Sequence, residues 1–235
     1  MNEPVVALVV AAGSGSRLGG QVPKALVRID GKPLVRWSVD ALAAGGCERA
    51  VVVVAASLLP DFAEALAGVG IPVELVVGGA RRQDSVANGL AAAGEHGIVL
   101  VHDAARPFVP ADVVLAVRQA VADGHVCVIP VVPVVDTIRR RTCPGPLEAG
   151  DSEVVDRSAL VAVQTPQGFD LATLREAHRQ AAERGLEVTD DAAVCEALGH
   201  PVRLVPGSRD ATKVTEPFDL LVAEAIAAGR RQEQT

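Results

Sequence analysis

Two cations flank a glycine-rich loop near the start of the chain. Residues 10–24 read Val-Ala-Ala-Gly-Ser-Gly-Ser-Arg-Leu-Gly-Gly-Gln-Val-Pro-Lys. They follow the apolar run Val5–Val10, which has the composition of a buried parallel strand. A glycine loop at the carboxyl end of a first strand lets backbone N–H groups close around anionic oxygens. Arg17 and Lys24 bring positive charge to the same loop, a combination suited to cradling a polyphosphate. Two familiar phosphate loops do not fit. A dinucleotide fingerprint needs a third glycine where Leu18 stands, and the P-loop spacing from Gly15 to Gly20 meets Gln21 where lysine is required. The glycines alone are equally compatible with a tight connection, and Arg17 alone with a solvated loop arginine; it is the pairing that points to chemistry.

No Ser-His-Asp set, histidine cluster or paired acid motif accompanies this loop. A phosphate nucleophile needs no base, because it is already anionic at neutral pH. Catalysis would then reduce to aligning the reactants and stabilising charge on a phosphoryl group. The net charge of −7 argues against a nucleic-acid surface. Only three lysines, Lys24, Lys32 and Lys213, stand against nineteen arginines. A lysine kept in such a chain suggests a place that needs a compact point charge. The apolar runs Val5–Ala12 and Ala50–Ala56 are far shorter than the roughly 20 residues of a membrane span, and Met1–Pro4 lacks a basic leader. Cys47, Cys127, Cys143 and Cys195 are scattered, which reads as reduced thiols of a cytoplasmic protein without a disulfide framework or zinc site.

The elements that must position these residues alternate. Val5–Val10, Ala50–Ala55, Val73–Val77, Ile98–Val101 and Val126–Val131 read as strands, and Leu34–Ala44, Leu58–Ala67, Arg82–Ala93 and Ala111–Ala122 as helices. This predicts an α/β fold, a mostly parallel twisted sheet covered by helices on both faces with right-handed crossovers. In such sheets ligands bind beyond the carboxyl ends of the strands. The Gly13 loop belongs there, and so does His102-Asp103-Ala104-Ala105-Arg106-Pro107. The alternation breaks over residues 134–156, where Val134–Arg141 and Ser152–Asp156 flank the turn signal Pro144-Gly145-Pro146. That stretch predicts a projecting β-hairpin arm, with a disordered loop as the alternative. Helices Leu171–Arg184, Asp190–Leu198 and Pro217–Ala228, a strand Pro201–Val205 and a frayed Arg230–Thr235 complete one domain over residues 1–235.

The motifs together resemble the 2-C-methyl-D-erythritol 4-phosphate cytidylyltransferase family, from Val5 to Ala227. They are Ala11-Ala12-Gly13-Ser14-Gly15-Ser16-Arg17, Pro23-Lys24, residues 78–86 (Gly-Gly-Ala-Arg-Arg-Gln-Asp-Ser-Val), residues 101–107, Asp136-Thr137, Val155-Asp156-Arg157, Gln164-Thr165-Pro166-Gln167, Thr189-Asp190-Asp191 and Lys213-Val214-Thr215. The departures are Ala25 after Lys24, where many relatives have glutamine, and Asp191 after Asp190, where glutamate is common.

The resemblance implies a Rossmann-like nucleotidyltransferase that transfers CMP from CTP to methylerythritol phosphate in the non-mevalonate isoprenoid pathway. It implies Arg17 and Lys24 on the triphosphate, with Ala11, Ala12, Gly13, Ser14 and Gly15 around it. Gly79, Asp84 and Ser85 would form the pyrimidine pocket, although Asp84-Ser85 also suits a helix cap. Asp103, Ala104 and Arg106 would face ribose, phosphates and Mg²⁺ or another divalent cation, with Asp103 a candidate metal ligand and a local Asp103–Arg106 ion pair the alternative. Thr137, Arg157, Thr165, Thr189 and Lys213, with Asp103, would hold the acceptor, although Lys213 alone would also read as a surface lysine. Arg157 would reach across a homodimer through the arm. A cytidylyltransferase for another polyol phosphate, such as ribitol 5-phosphate, and a non-catalytic nucleotide-binding module are the alternatives. No fused cyclodiphosphate synthase domain is expected.

Overall fold

A computed structural model describes residues 3–13, 18–19, 22–142, 150–186, 188 and 190–233. Strand β1 (Val5–Val10) pairs in parallel with β4 (Arg49–Val54) and β6 (Ile98–Asp103), and β4 pairs in parallel with β5 (Val73–Val77). On the far side, β7 (Cys127–Pro133) pairs in parallel with β12 (Arg203–Pro206) and antiparallel with β10 (Val161–Val163). The two halves are joined by β11 (Gln167–Asp170), which lies antiparallel between β6 and β7. The sheet is therefore mixed, with its parallel part where the alternating pattern places it.

Successive strand residues face opposite layers, because the side-chain period of a strand is two. Val5, Ala7 and Val9 pack with Val35 and Val39 of α1 (Leu34–Ala44), Phe62 of α2 (Leu59–Ala65) and Val114 and Val117 of α4 (Ala111–Ala122). Val6 and Leu8 pack on the other face with Val86 and Leu90 of α3 (Arg82–Ala92), Leu174 of α5 (Leu171–Glu183) and Val194 of α6 (Asp191–Ala197). Both faces are thus covered, which is why these strands read as unbroken apolar runs. A smaller cluster seats Ala223 and Ala227 of α7 (Pro217–Glu233) on Ile29, Leu34 and Phe108. Ile29 lies in a short ribbon of β2 (Arg28–Ile29) and β3 (Lys32–Pro33).

Several expectations need adjusting. The second helix is shortened by a 3-10 turn at Ala56–Leu58, and the short ribbon and strands β10 and β11 have no counterpart in the sequence pattern. The last helix runs on to Glu233, because Arg230 donates to the Phe108 carbonyl at 2.8 Å and Arg231 pairs with Asp30. The arm contains a two-stranded sheet of its own, β8 (Ile138–Arg141) against β9 (Ser152–Val155), with Arg139 and Arg140 bonded across it to Ser152 and Glu153. Residues 143–149, including Cys143 and the Pro144–Pro146 turn, lie outside the described residues. Among the described residues, no helix is long and apolar enough to cross a membrane.

Candidate active site

The carboxyl ends of β1, β5 and β6 open onto a cavity of about 240 Å³. Its walls include Ala11, Ala12 and Gly13 after β1, Gly79 to Arg82 after β5, Asp103 to Ala105 after β6, and the side chains of Lys24, Ser85 and Lys213. Backbone hydrogen bonds tie the three loops to the sheet: Ala11 N–H to the Val53 carbonyl at 2.8 Å, Gly78 N–H to Val54 at 2.8 Å and Ala104 N–H to Val10 at 3.2 Å. Of the expected residues, Ala11, Ala12, Gly13, Lys24, Gly79, Ser85, Asp103, Ala104 and Lys213 thus share one space. Ser14, Gly15, Arg17 and Thr189 lie outside the described residues.

The loop after β5 is built around the Ser85 hydroxyl. It accepts from the Gly79 N–H and donates to the Arg81 carbonyl, both at 3.1 Å. Asp84 caps α3, accepting the Arg81 N–H at 3.1 Å and pairing with the Arg81 guanidinium at 2.7 Å. Glycine is required at 79, since a Cβ there would sit 2.4 Å from Asp84 Cβ. Asp84 therefore shapes the loop from behind the cavity.

Asp103 is the electrostatic centre. Its carboxylate meets Lys213 Nζ at 2.7 Å and Arg106 Nε at 3.8 Å. Burial would raise this carboxyl, but Lys213, followed by Arg82 and Arg106, holds it below the ordinary carboxylate range. Lys213 is held there by its neighbours. Val214 N–H donates to the Ala105 carbonyl at 2.8 Å, and Asp219 at the start of α7 accepts the N–H groups of Thr215 at 2.6 Å and Glu216 at 2.9 Å. Lys24 sits close enough to Asp219 to help keep it ionised.

Behind this surface lies a chain of bonds through Thr165. Its hydroxyl accepts the Asp103 N–H at 3.1 Å and lies 3.0 Å from His102 Nδ1, while His102 Nε2 lies 3.0 Å from the Arg106 carbonyl. The pattern assigns a neutral imidazole with its hydrogen on Nε2. Burial pushes His102 down to about 4. The Thr165 side chain thus works inside the wall, and Arg106 does too, donating to the carbonyls of Ala211 at 2.7 Å and Val163 at 3.4 Å.

Arg157 and Thr137 do not join the cavity. Arg157 lies in a 3-10 turn at the foot of the arm, bonded to the Val135 carbonyl, and lines a second hollow with Val134, Leu160 and Leu204. Thr137 is exposed beside β8. Sequence reasoning missed Arg82, which lines the cavity and whose guanidinium donates to Asp191 at 2.7 Å. Burial opposes its charge, but Asp191, Asp103 and Asp190 raise its pKa above the ordinary value. A second arginine at the start of α3, inside a segment already singled out, was the available signal.

A mixed α/β sheet with a lysine-lined cleft beyond its parallel strand ends is the arrangement of an enzyme that handles phosphate groups. The profile of the 2-C-methyl-D-erythritol 4-phosphate cytidylyltransferase family matches residues 5–228. The chain is 48% identical to the enzyme of that name from Saccharopolyspora erythraea over 230 residues, covering 95% of this chain and 99% of that one. It is 44% identical to the Frankia casuarinae enzyme over 225 residues, 95% of this chain and 81% of the other. The crystal structure of the Thermus thermophilus enzyme superposes with a TM-score of 0.79 at 39% identity, over 97% of this chain and 100% of that one. The chain belongs to the 2-C-methyl-D-erythritol 4-phosphate cytidylyltransferase family.

Proposed function

We propose that this cavity transfers the CMP group of CTP to 2-C-methyl-D-erythritol 4-phosphate, releasing pyrophosphate and 4-diphosphocytidyl-2-C-methyl-D-erythritol. The observation that carries the reading is the meeting of Lys24, Lys213, Asp103 and the Gly79–Arg82 loop in one cleft. A phosphate oxygen of the acceptor attacks the α-phosphorus of CTP, the new P–O bond forms, and the bond to the pyrophosphate oxygen breaks. Lys24 faces the triphosphate and stabilises charge that grows as pyrophosphate departs; the family resemblance assigns Arg17, outside the described residues, to the same task. Lys213 supplies the point charge for the acceptor phosphate. Removing one such donor typically costs about 10²–10³ in rate.

Mg²⁺ fits this site. It binds through one or two carboxylates plus substrate phosphates, and the ionised Asp103 lines the cavity. No group of three or more ligating side chains stands ready among the described residues, so the phosphates would supply most of its oxygens. When bound, the ion neutralises phosphate charge. The reduced, buried Cys47, Cys127 and Cys195 suit the cytoplasm.

The position of Arg157 supports a homodimer. Its hollow is largely apolar, with exposed Val161 and Leu204 in its walls, and Val135 and Val154 in the arm segment are exposed as well. In an isologous pair, Arg157 and Thr137 would complete the partner's site. Mixing Arg157→Ala with Lys24→Ala under verified subunit exchange should restore about a quarter of wild-type activity, since half the dimers are mixed and each has one intact site. No recovery with exchange confirmed would place Arg157 in cis. The activity itself is tested by pyrophosphate release with CTP and a panel of polyol phosphates. Ribitol 5-phosphate used better than methylerythritol phosphate would refute the acceptor.

A further inference from the structure

Beneath the cavity lies a buried polar cluster that the reaction scheme above does not use. Asp191, the first residue of α6, is 1% exposed. Its Oδ2 accepts from Arg82 Nη2 at 2.7 Å, and its Oδ1 lies 3.1 Å from Nε2 of His178 on α5. His178 is itself buried, and its Nδ1 has no hydrogen-bond partner among the described residues. An arrangement that leaves a buried ring nitrogen unpaired carries a cost, which sets this cluster apart from a fully satisfied structural network. The cap of α6 does not account for it, because Asp190 fills that role, accepting the Ala193 N–H at 2.9 Å while Gln167 braces it at 2.9 Å.

What the cluster does hold is Arg82. This arginine is the first residue of α3, directly after the Gly79–Arg81 loop, and its side chain lines the cavity. A guanidinium has five donors in a rigid plane. One is given to Asp191, and the others find no acceptor among the described residues, so the Asp191 carboxylate anchors one end of the guanidinium while its other donors are left for a ligand. We propose that Asp191 and His178 are positioning residues that hold Arg82 in the geometry in which it contacts the nucleotide. Arg82 is committed to the nucleotide because it opens α3 between Gly79 and Ser85, the residues assigned to the pyrimidine pocket. His178 acts one step further back, donating to the other oxygen so that the carboxylate does not rotate away from Arg82.

The inference rests on the cytidylyltransferase reading, and wild-type turnover of CTP with methylerythritol phosphate tests that reading separately. Asp191→Asn puts an amide between two donors and releases the arginine. It should raise the KM for CTP by about 10- to 100-fold, the range for losing a hydrogen bond to a charged group, with kcat and the acceptor KM changed by less than about threefold. Asp191→Glu, which keeps the charge, should recover part of the loss. Arg82→Ala should raise the KM for CTP similarly, and adding Asp191→Asn to it should cost nothing more, since the arginine to be positioned is gone. Multiplicative losses in the double variant would overturn the proposal, and so would an unchanged KM for CTP in Arg82→Ala. A rise confined to the acceptor KM would also overturn it, by showing that Asp191 serves the segment ahead of α6. If Asp191→Asn does not fold, the His178 variants decide. His178→Gln keeps a donor and should raise the KM for CTP less than His178→Leu; equal effects of the two would refute the positioning role.

Discussion

Acid should loosen this protein well above the pH at which its carboxylates titrate, and His102 is the reason. The imidazole is wholly buried, with one nitrogen occupied by the Thr165 hydroxyl and the other by the Arg106 carbonyl. Burial, opposed only in part by Asp103 and that carbonyl, lowers its pKa from 6.5 to about 4. The unfolded chain therefore binds a proton near 6.5 that the folded chain refuses until about 4. Unfolding takes up this proton between the two values, so stability is full above the unfolded value and declines as pH falls. The slope is about 1.4 kcal/mol per pH unit, which gives about 2 kcal/mol lost between about pH 8 and pH 5 and about 3 kcal/mol by about pH 4. Urea unfolding at about pH 8, 6.5 and 5 reads this directly as a fall in midpoint at constant m-value. In His102→Gln that decline should disappear, whatever the variant's absolute stability. An equal decline in wild type and variant would refute the assignment of the proton to His102.

Lys24→Ala should lower kcat by about 10²–10³ with little change in acceptor KM, because the charge it meets grows toward the transition state. Lys213→Ala should instead raise the acceptor KM and leave Asp103 without its nearest cation; steady-state kinetics with each substrate varied separates the two. Excess chelator should abolish turnover, restored by Mg²⁺, and UTP should be used far less efficiently than CTP; equal kcat/KM for the two would refute selection of the base. Gly89→Ala on α3 should lower the melting temperature by about 2–4 °C. The new methyl would meet Val53 at 2.8 Å and Leu8 at 3.0 Å, an overpacking cost of about 1–3 kcal/mol, offset by up to about 1 kcal/mol of helix propensity.

The parallel half of the fold was legible because its strands are buried on both faces. Val5–Val10 and Val73–Val77 were read to the residue, as were helices Leu34–Ala44 and Ala111–Ala122. Strands β10 and β11 were not, since Val161–Val163 is a short exposed edge and Gln167–Asp170 carries a glycine and two polar residues. Their pairing is set by partners dozens of residues away. At the site, motif spacing led to Lys24, Gly79, Asp103 and Lys213, which the fold does gather. What spacing did not convey was direction. Nothing in the local sequence says that Thr165 turns toward His102 or Arg106 toward the Ala211 carbonyl. Nor does it say that Arg82 meets Asp191, 109 positions further on.

The placement of β11 also governs the order in which the molecule is made. The chain leaves the sheet after β7, runs through the arm, and returns to insert β11 between β6 and β7. Until residues 167–170 are available, β6 and β7 have no strand between them, and the two halves of the sheet have no hydrogen-bonded link. β1, β4, β5 and β6 are contiguous enough in sequence to pair before residues 167–170, about sixty positions further on, are available, and the long loop that β11 closes is the kind of non-local pairing that slows folding. Thr165 lies two residues ahead of the closing strand, and its hydroxyl engages Asp103. The Asp103 loop therefore gains its Thr165 backing in the same step that welds the two halves of the sheet, while Lys213 and β12 are supplied by chain that follows.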